Sequence, residues 1–148
     1  MAEKFFLASD HGAFEAKSKI AEYLKENYSE LDIVDLGTYS EQSCNYAEFA
    51  IKLAKEVASS DGRGILLCGS GIGASIAANR FGGVRAALCR TVEESKLSRL
   101  HNDSNVLTLG GRITPFEQMK EMIDIWFATK FEAGRHIERI SSFNKLGE

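Results

Sequence analysis

Two apolar rhythms alternate along the chain. Short unbroken runs at Phe5–Ala8, Ile33–Leu36, Gly64–Leu67, Val84–Leu88 and Val106–Leu109 are rich in strand formers. Between them, apolar positions recur at helical spacing. Ala16, Ile20, Tyr23 and Leu24 share one face, as do Phe116, Met119, Met122, Ile123, Trp126 and Phe127. Continuous rather than alternating runs predict strands buried on both sides. Strands that alternate with helices predict an α/β three-layer sandwich, a five-stranded parallel sheet covered on both faces.

Local signals set the helix starts. Thr91-Val92-Glu93-Glu94 and Thr114-Pro115-Phe116-Glu117 both have the form of a capping box, and the second places the chain's one proline at the first helical position. The tail, Phe131–Glu148, predicts a last helix carrying Arg135, His136 and Arg139. It lies beyond the last strand, where it could pack on another subunit. Nothing reads as a linker, a repeat or a low-complexity tract, so residues 1–148 are expected to form a single domain.

Composition narrows the function class. The chain is 44% hydrophobic and 26% charged, with a formal net charge of −3. That balance offers no global attraction for nucleic acid or an anionic membrane. The apolar run near the start is too short for a signal peptide or a span, so a cytoplasmic protein is expected. Cys44, Cys68 and Cys89 are odd in number and form no CxxC pair, so neither a disulfide framework nor a zinc site is indicated. His11, His101 and His136 lack a ligand spacing, and no metal is expected.

In an open α/β sheet, ligands bind beyond the carboxyl ends of the strands. The segment GILLCGSGIGA, residues 64–74, therefore stands out. A buried strand ends in Cys68, and a glycine loop turns several N–H groups toward one point. Such a loop can bind a phosphate, stabilise an oxyanion, or favour the thiolate of a nearby cysteine. It can equally be a tight turn around a structural cysteine. The loop lacks dinucleotide spacing and an obvious acidic partner. Asp10-His11 can handle hydroxyls, protons or phosphate, or can serve as a cap beside a surface histidine. His101-Asn102 precedes the fifth strand, where His could transfer a proton and Asn could hold a hydroxyl; the alternative is a polar turn. Arg112, Arg135 and Arg139 are the best anion candidates; Arg135 and Arg139 share a helix face and otherwise read as a solvated basic surface.

Together these segments resemble the ribose-5-phosphate isomerase B family, which includes the galactose-6-phosphate isomerase subunits. The resemblance rests on ASDHGAFEAK, DLGT at Asp35–Thr38, GILLCGSGIGASIAANRFGGVRAALC, SRLHNDSNVLTLGGR and GRHIERI, in order over nearly the whole chain. It implies a Rossmann-like fold, a site built by two subunits of a homodimer or dimer of dimers, a sugar-phosphate substrate of the pentose phosphate pathway, and no cofactor. It implies Cys68 as the base that removes the C2 proton, with Ser70 hydrogen-bonding beside it. The N–H groups of Gly69, Ser70, Gly71, Ile72 and Gly73 would hold the enediolate oxygen. His101 would open the furanose ring, Asp10 would contact the sugar oxygens, and Asn102 would bind substrate. His11, Arg112, Arg135 and Arg139 would gather around the phosphate. The family's Asp-Tyr-Pro element is Asn45-Tyr46-Ala47 here. Tyr46 is expected to line the sugar, and the loop's rigidity and substrate preference are expected to differ. A hexose 6-phosphate, such as allose or galactose 6-phosphate, is the alternative substrate, and a non-catalytic phosphosugar-binding module the alternative class.

Overall fold

A computed structural model of the chain describes residues 2–146. Five strands, β1 (Lys4–Ser9), β2 (Asp32–Asp35), β3 (Arg63–Cys68), β4 (Ala86–Leu88) and β5 (Val106–Gly110), form one sheet in the order β2-β1-β3-β5-β4. All four pairings are parallel. Six helices alternate with them: α1 (Phe14–Asn27), α2 (Tyr46–Ser60), α3 (Ile72–Ala78), α4 (Val92–Asn102), α5 (Phe116–Ala128) and α6 (His136–Ser141). The expected Rossmann-like sandwich is the observed fold.

The strand runs look continuous because both faces are covered, yet the two faces still alternate. Phe5 and Leu7 of β1, Ile65 and Leu67 of β3, and Leu107 and Leu109 of β5 pack with Ile20 and Leu24 of α1 and Met122 and Trp126 of α5. Phe6, Ala8, Leu66 and Cys68 point the other way, onto Phe49, Leu53 and Val57 of α2 and Ala74 and Ala78 of α3. Cys68 is thereby aimed at the layer that holds α2 and α3.

Local chemistry explains where the expected elements shift. Thr91 caps α4, its Oγ1 accepting from the Glu94 N–H at 3.0 Å, but the Glu94 carboxylate accepts from the Arg90 N–H rather than closing the box on Thr91. At α5 the cap is Pro115, not Thr114, because the Pro115 carbonyl already accepts from the Gln118 and Met119 N–H groups while Thr114 closes a turn onto Gly110. β4 starts at Ala86 instead of Val84, since the Arg85 N–H is taken by the Asn105 side chain at 2.8 Å. The tail does not form one helix from Phe131. Ala133 and Gly134 have φ of 63° and 57°, and helix resumes only at His136. The segment after α6 is tied to its own chain, where Asn144 Oδ1 accepts from Arg85 at 2.7 Å.

β1 is the switch point of the sheet. The chain passes from β1 to β2 on one side and then crosses back to β3 on the other, which opens a crevice at the carboxyl ends of β1 and β3. No helix among the described residues is long and apolar enough to cross a membrane.

Candidate active site

The crevice is built from Asp10, which follows β1, and Cys68, which ends β3. The Ser9–Leu67 register sets the two side by side. Cys68 is 5% exposed, and its Sγ accepts from the Gly71 N–H at 3.1 Å. Gly71 makes that approach possible. Its φ is +82°, and a Cβ there would come 2.6 Å from Leu88 Cδ1 and 3.0 Å from the Leu109 backbone. The Ser70 Oγ accepts from the Ile72 N–H at 3.1 Å, leaving its own O–H to donate elsewhere. The following N–H groups, on Gly73 and Ala74, belong to the first turn of α3 and have no intrahelical acceptor. Of the loop amides expected at the enediolate, those of Gly71 and Ile72 are therefore already engaged.

Tyr46, the first residue of α2, lies across that turn. A Cβ at Gly73 would fall 2.5 Å from Tyr46 Cζ and 2.7 Å from its Oη. The departure at 45–47 has a structural answer. Asn45 caps α2 by accepting from the Ala47 N–H at 3.0 Å, a donor that proline lacks. Side chains further back hold the same wall. Lys17, 1% exposed, donates to Asp35 Oδ1 at 2.5 Å and to the Thr38 carbonyl at 2.6 Å. His11 Nδ1 accepts from the Cys44 N–H at 3.1 Å, so a neutral ring carries its proton on Nε2.

One group here is unsatisfied in a way that invites a ligand, and an exposed cation lies beside it. Asp10 Oδ1 is buried and has no hydrogen-bond partner among the described residues. The Arg112 guanidinium rests in a saddle between Gly12 and Gly69. A Cβ on Gly12 would meet its Cζ at 3.1 Å, and one on Gly69 would meet its Nη1 at 3.5 Å. Asp10, His11, Tyr46, Cys68, Gly69, Ser70, Gly71, Ile72, Gly73 and Arg112 thus belong to one pole of the chain.

His101, Asn102, Arg135 and Arg139 do not join them. α4 runs from the carboxyl end of β4 back to the amino end of β5, and α5 runs back from the carboxyl end of β5. His101 and Asn102 end α4, so they lie at the amino pole of the sheet, and the tail with Arg135 and Arg139 lies there too. Asp103 fixes the turn. It adopts φ of 47° and takes Arg99 Nη1 at 2.9 Å and Arg85 Nη2 at 3.6 Å. A cavity of about 460 Å³ at this pole, lined in part by Phe81, Arg85, Asn102, Phe143 and Asn144, takes in only Asn102 of the expected site residues. Within one chain, the phosphate cluster expected from His11, Arg112, Arg135 and Arg139 is split between opposite poles.

The model of the ribose/galactose isomerase family matches residues 5–143. The chain belongs to that family. It is 38% identical to ribose-5-phosphate isomerase B of Escherichia coli over 146 residues, 97% of this chain and 96% of the relative. Among solved structures, a ribose-5-phosphate isomerase B from Thermotoga maritima superposes with a TM-score of 0.91 at 42% identity, covering 97% of this chain and 99% of that one. The Mycoplasma genitalium ribose-5-phosphate isomerase B, solved with bound ribulose 5-phosphate, gives 0.90 at 36% identity over 96% and 94%. Sequence reasoning missed three members of the isomerase fold's two poles. Lys17 has no spacing signal, being one lysine among many. Glu132 and His136 carry a faint one in their four-residue separation. Their meeting with His101 depends on a backbone bond from Glu132 N–H to the Leu100 carbonyl at 3.0 Å.

Proposed function

We propose that the chain interconverts ribose 5-phosphate and ribulose 5-phosphate through a 1,2-enediolate, as a cytoplasmic homodimer or pair of dimers whose sites each join the carboxyl pole of one chain to the amino pole of another. The observation that carries the reading is the buried, unpartnered Asp10 Oδ1 next to the buried Cys68 thiol at the switch point of the sheet. A relative solved with bound ribulose 5-phosphate supports the substrate class.

The chemistry divides between the poles. His101 of the partner subunit moves the protons that open the furanose, one taken from the anomeric hydroxyl and one delivered to the ring oxygen. Asp10 accepts a sugar hydroxyl, and Asn102 of the partner subunit binds a second. The Cys68 thiolate, to which the Gly71 N–H donates, removes the C2 proton of the open aldehyde. The electron pair moves onto the C1 oxygen, where Ser70 and the free loop N–H groups receive the charge. Returning a proton to C1, and moving one from the C2 oxygen to the C1 oxygen, gives the ketose. Electrons stay within the substrate, so the step balances without a redox cofactor. His11 and Arg112, with Arg135 and Arg139 of the partner subunit, hold the phosphate dianion.

The test is a coupled assay on ribose 5-phosphate and on allose 6-phosphate. The pentose should turn over faster, and Cys68→Ala should lower kcat by on the order of 10²–10⁴. A variant with near-full kcat removes Cys68 as the base, and faster turnover of the hexose moves the substrate to that class.

A further inference from the structure

Three ligating atoms converge at the amino pole in a way that hydrogen bonding does not explain. His101 Nε2 lies 3.8 Å and His136 Nε2 3.9 Å from the same atom, Oε2 of Glu132. Both separations are too long for a hydrogen bond. The two imidazoles are stacked, with centroids 4.6 Å apart and planes 20° from parallel. His136 is 5% exposed, and its Nε2 is buried without a partner among the described residues. The ligand atoms of all three residues lie within 4.8 Å of one another.

A transition-metal ion sits ~2.0–2.2 Å from nitrogen and oxygen donors, so it spans donor pairs roughly 3–4 Å apart, the gap found here between Glu132 and each histidine. Imidazole with carboxylate suits zinc, cobalt, nickel or copper, while magnesium and calcium call for oxygen ligands. A metal needs a neutral imidazole. Burial holds the pKa of His136 down, and His101 and Arg135 add to the effect. Arg135 and Arg139 also repel a cation at this pole, which weakens the expected affinity.

We propose that His101, Glu132 and His136 form a binding site for a zinc-class divalent ion, and that its occupation inhibits the enzyme by withdrawing His101. The binding stands on the geometry alone, whereas the inhibition rests on the role given to His101 above. Chelator-treated protein is titrated with Co²⁺ alone, followed by its visible absorption, and with Zn²⁺ alone by calorimetry. One equivalent per chain should bind, and Glu132→Gln and His136→Gln should each weaken binding roughly tenfold or more. Glu132→Gln is the safer variant, because that side chain is 54% exposed and its loss does not open the core. Two thiol sites compete for the metal: Cys68, and Cys44, whose Sγ lies 3.7 Å from His11 Nδ1. Cys68→Ala and Cys44→Ala should leave the affinity unchanged. Zinc should inhibit turnover of wild-type protein, with recovery on adding chelator. Unchanged affinity in both Glu132→Gln and His136→Gln, or loss of binding in a cysteine variant, overturns the site. Full turnover with zinc bound overturns the inhibition.

Discussion

Mixing two inactive variants tests whether the site spans two chains. Cys68→Ala disables the carboxyl pole and His101→Asn the amino pole, and each alone should lower activity by on the order of 10²–10⁴. If every site pairs the carboxyl pole of one chain with the amino pole of another, equimolar mixing of the two variants restores some sites in full. A site is intact when its Cys68 comes from the His101→Asn chain and its His101 from the Cys68→Ala chain. Each choice has even odds, so about one quarter of sites are whole in a symmetric oligomer, whether dimer or tetramer. The figure follows from the proposed pairing, in which α4 and β3 carry the two side chains to opposite ends of one sheet.

The assay is ribose 5-phosphate turnover after co-refolding or co-expression, so that chains exchange freely. Recovery should approach a quarter of wild-type activity, well above the ~1% or less left in either parent. KM at the restored sites should equal the wild-type value, since such sites contain no substitution. A site built within one chain gives a different result. Every site would then keep one lesion, and the mixture would stay at the average of its parents. Activity at that average, in a mixture shown by mass spectrometry to contain hybrids, would refute the two-pole arrangement.

Three further outcomes follow from particular contacts. Gly73→Ala must push the Tyr46 ring off α3, because the new Cβ would fall 2.5 Å from its Cζ. The ring is exposed and free to swing, so Tm should hold or rise, with the helix gaining up to about 1 kcal/mol, while KM for the sugar phosphate increases; an unchanged KM would show that Tyr46 does not line the sugar. Ser104 Oγ accepts from Trp126 Nε1 at 2.9 Å within the core and lies 2.9 Å from Ser98 Oγ. Ser104→Ala leaves the indole N–H buried and unpaired, which should cost about 1–3 kcal/mol in urea unfolding. Tyr23 and Tyr28 both donate to Asp124. Burial first, then the hydrogen bond and charge of Asp124, push the Tyr23 phenol up to about 12. Folding therefore favours the protonated phenol. Its contribution is complete below the unfolded value of ~10 and is lost as pH rises toward 12. Tm measured across that window should fall more steeply for wild-type than for Tyr23→Phe.

The sheet was legible because apolar material decides it. Strands buried on both faces must be apolar throughout, and a parallel order needs the helical segments between them. Boundaries were less legible where side chains compete with the backbone. The Asn105 side chain takes the Arg85 N–H and shortens β4, and left-handed residues at Ala133 and Gly134 interrupt the tail. The glycine loop, Asp10 and Arg112 could be found because strand ends in such a sheet are where ligands collect. The His101, Glu132 and His136 cluster could not, since it joins residues 31 and 35 positions apart through one backbone bond, and neither a period nor a motif spans such a distance.

Connectivity is why the roles proposed for these positions call for two chains. In a parallel sheet, every loop that follows a strand lies at one pole and every turn that follows a helix lies at the other. Cys68 follows a strand, whereas His101 ends a helix. No rotamer or loop movement can bring them together inside one chain, because the length of β3 and β5 separates them. A second copy is the simplest way to place an amino pole against a carboxyl pole. The wall of the crevice at Tyr46 has to be stiff with Ala47 where the resemblance leads one to expect a proline. Asn45 capping through the Ala47 N–H, Lys17 gripping Asp35 and Thr38, and His11 holding Cys44 fasten the segment from 35 to 47 at three points. Rigidity lost at one residue is supplied by hydrogen bonds at its neighbours, and Tyr46 stays aimed at the crevice.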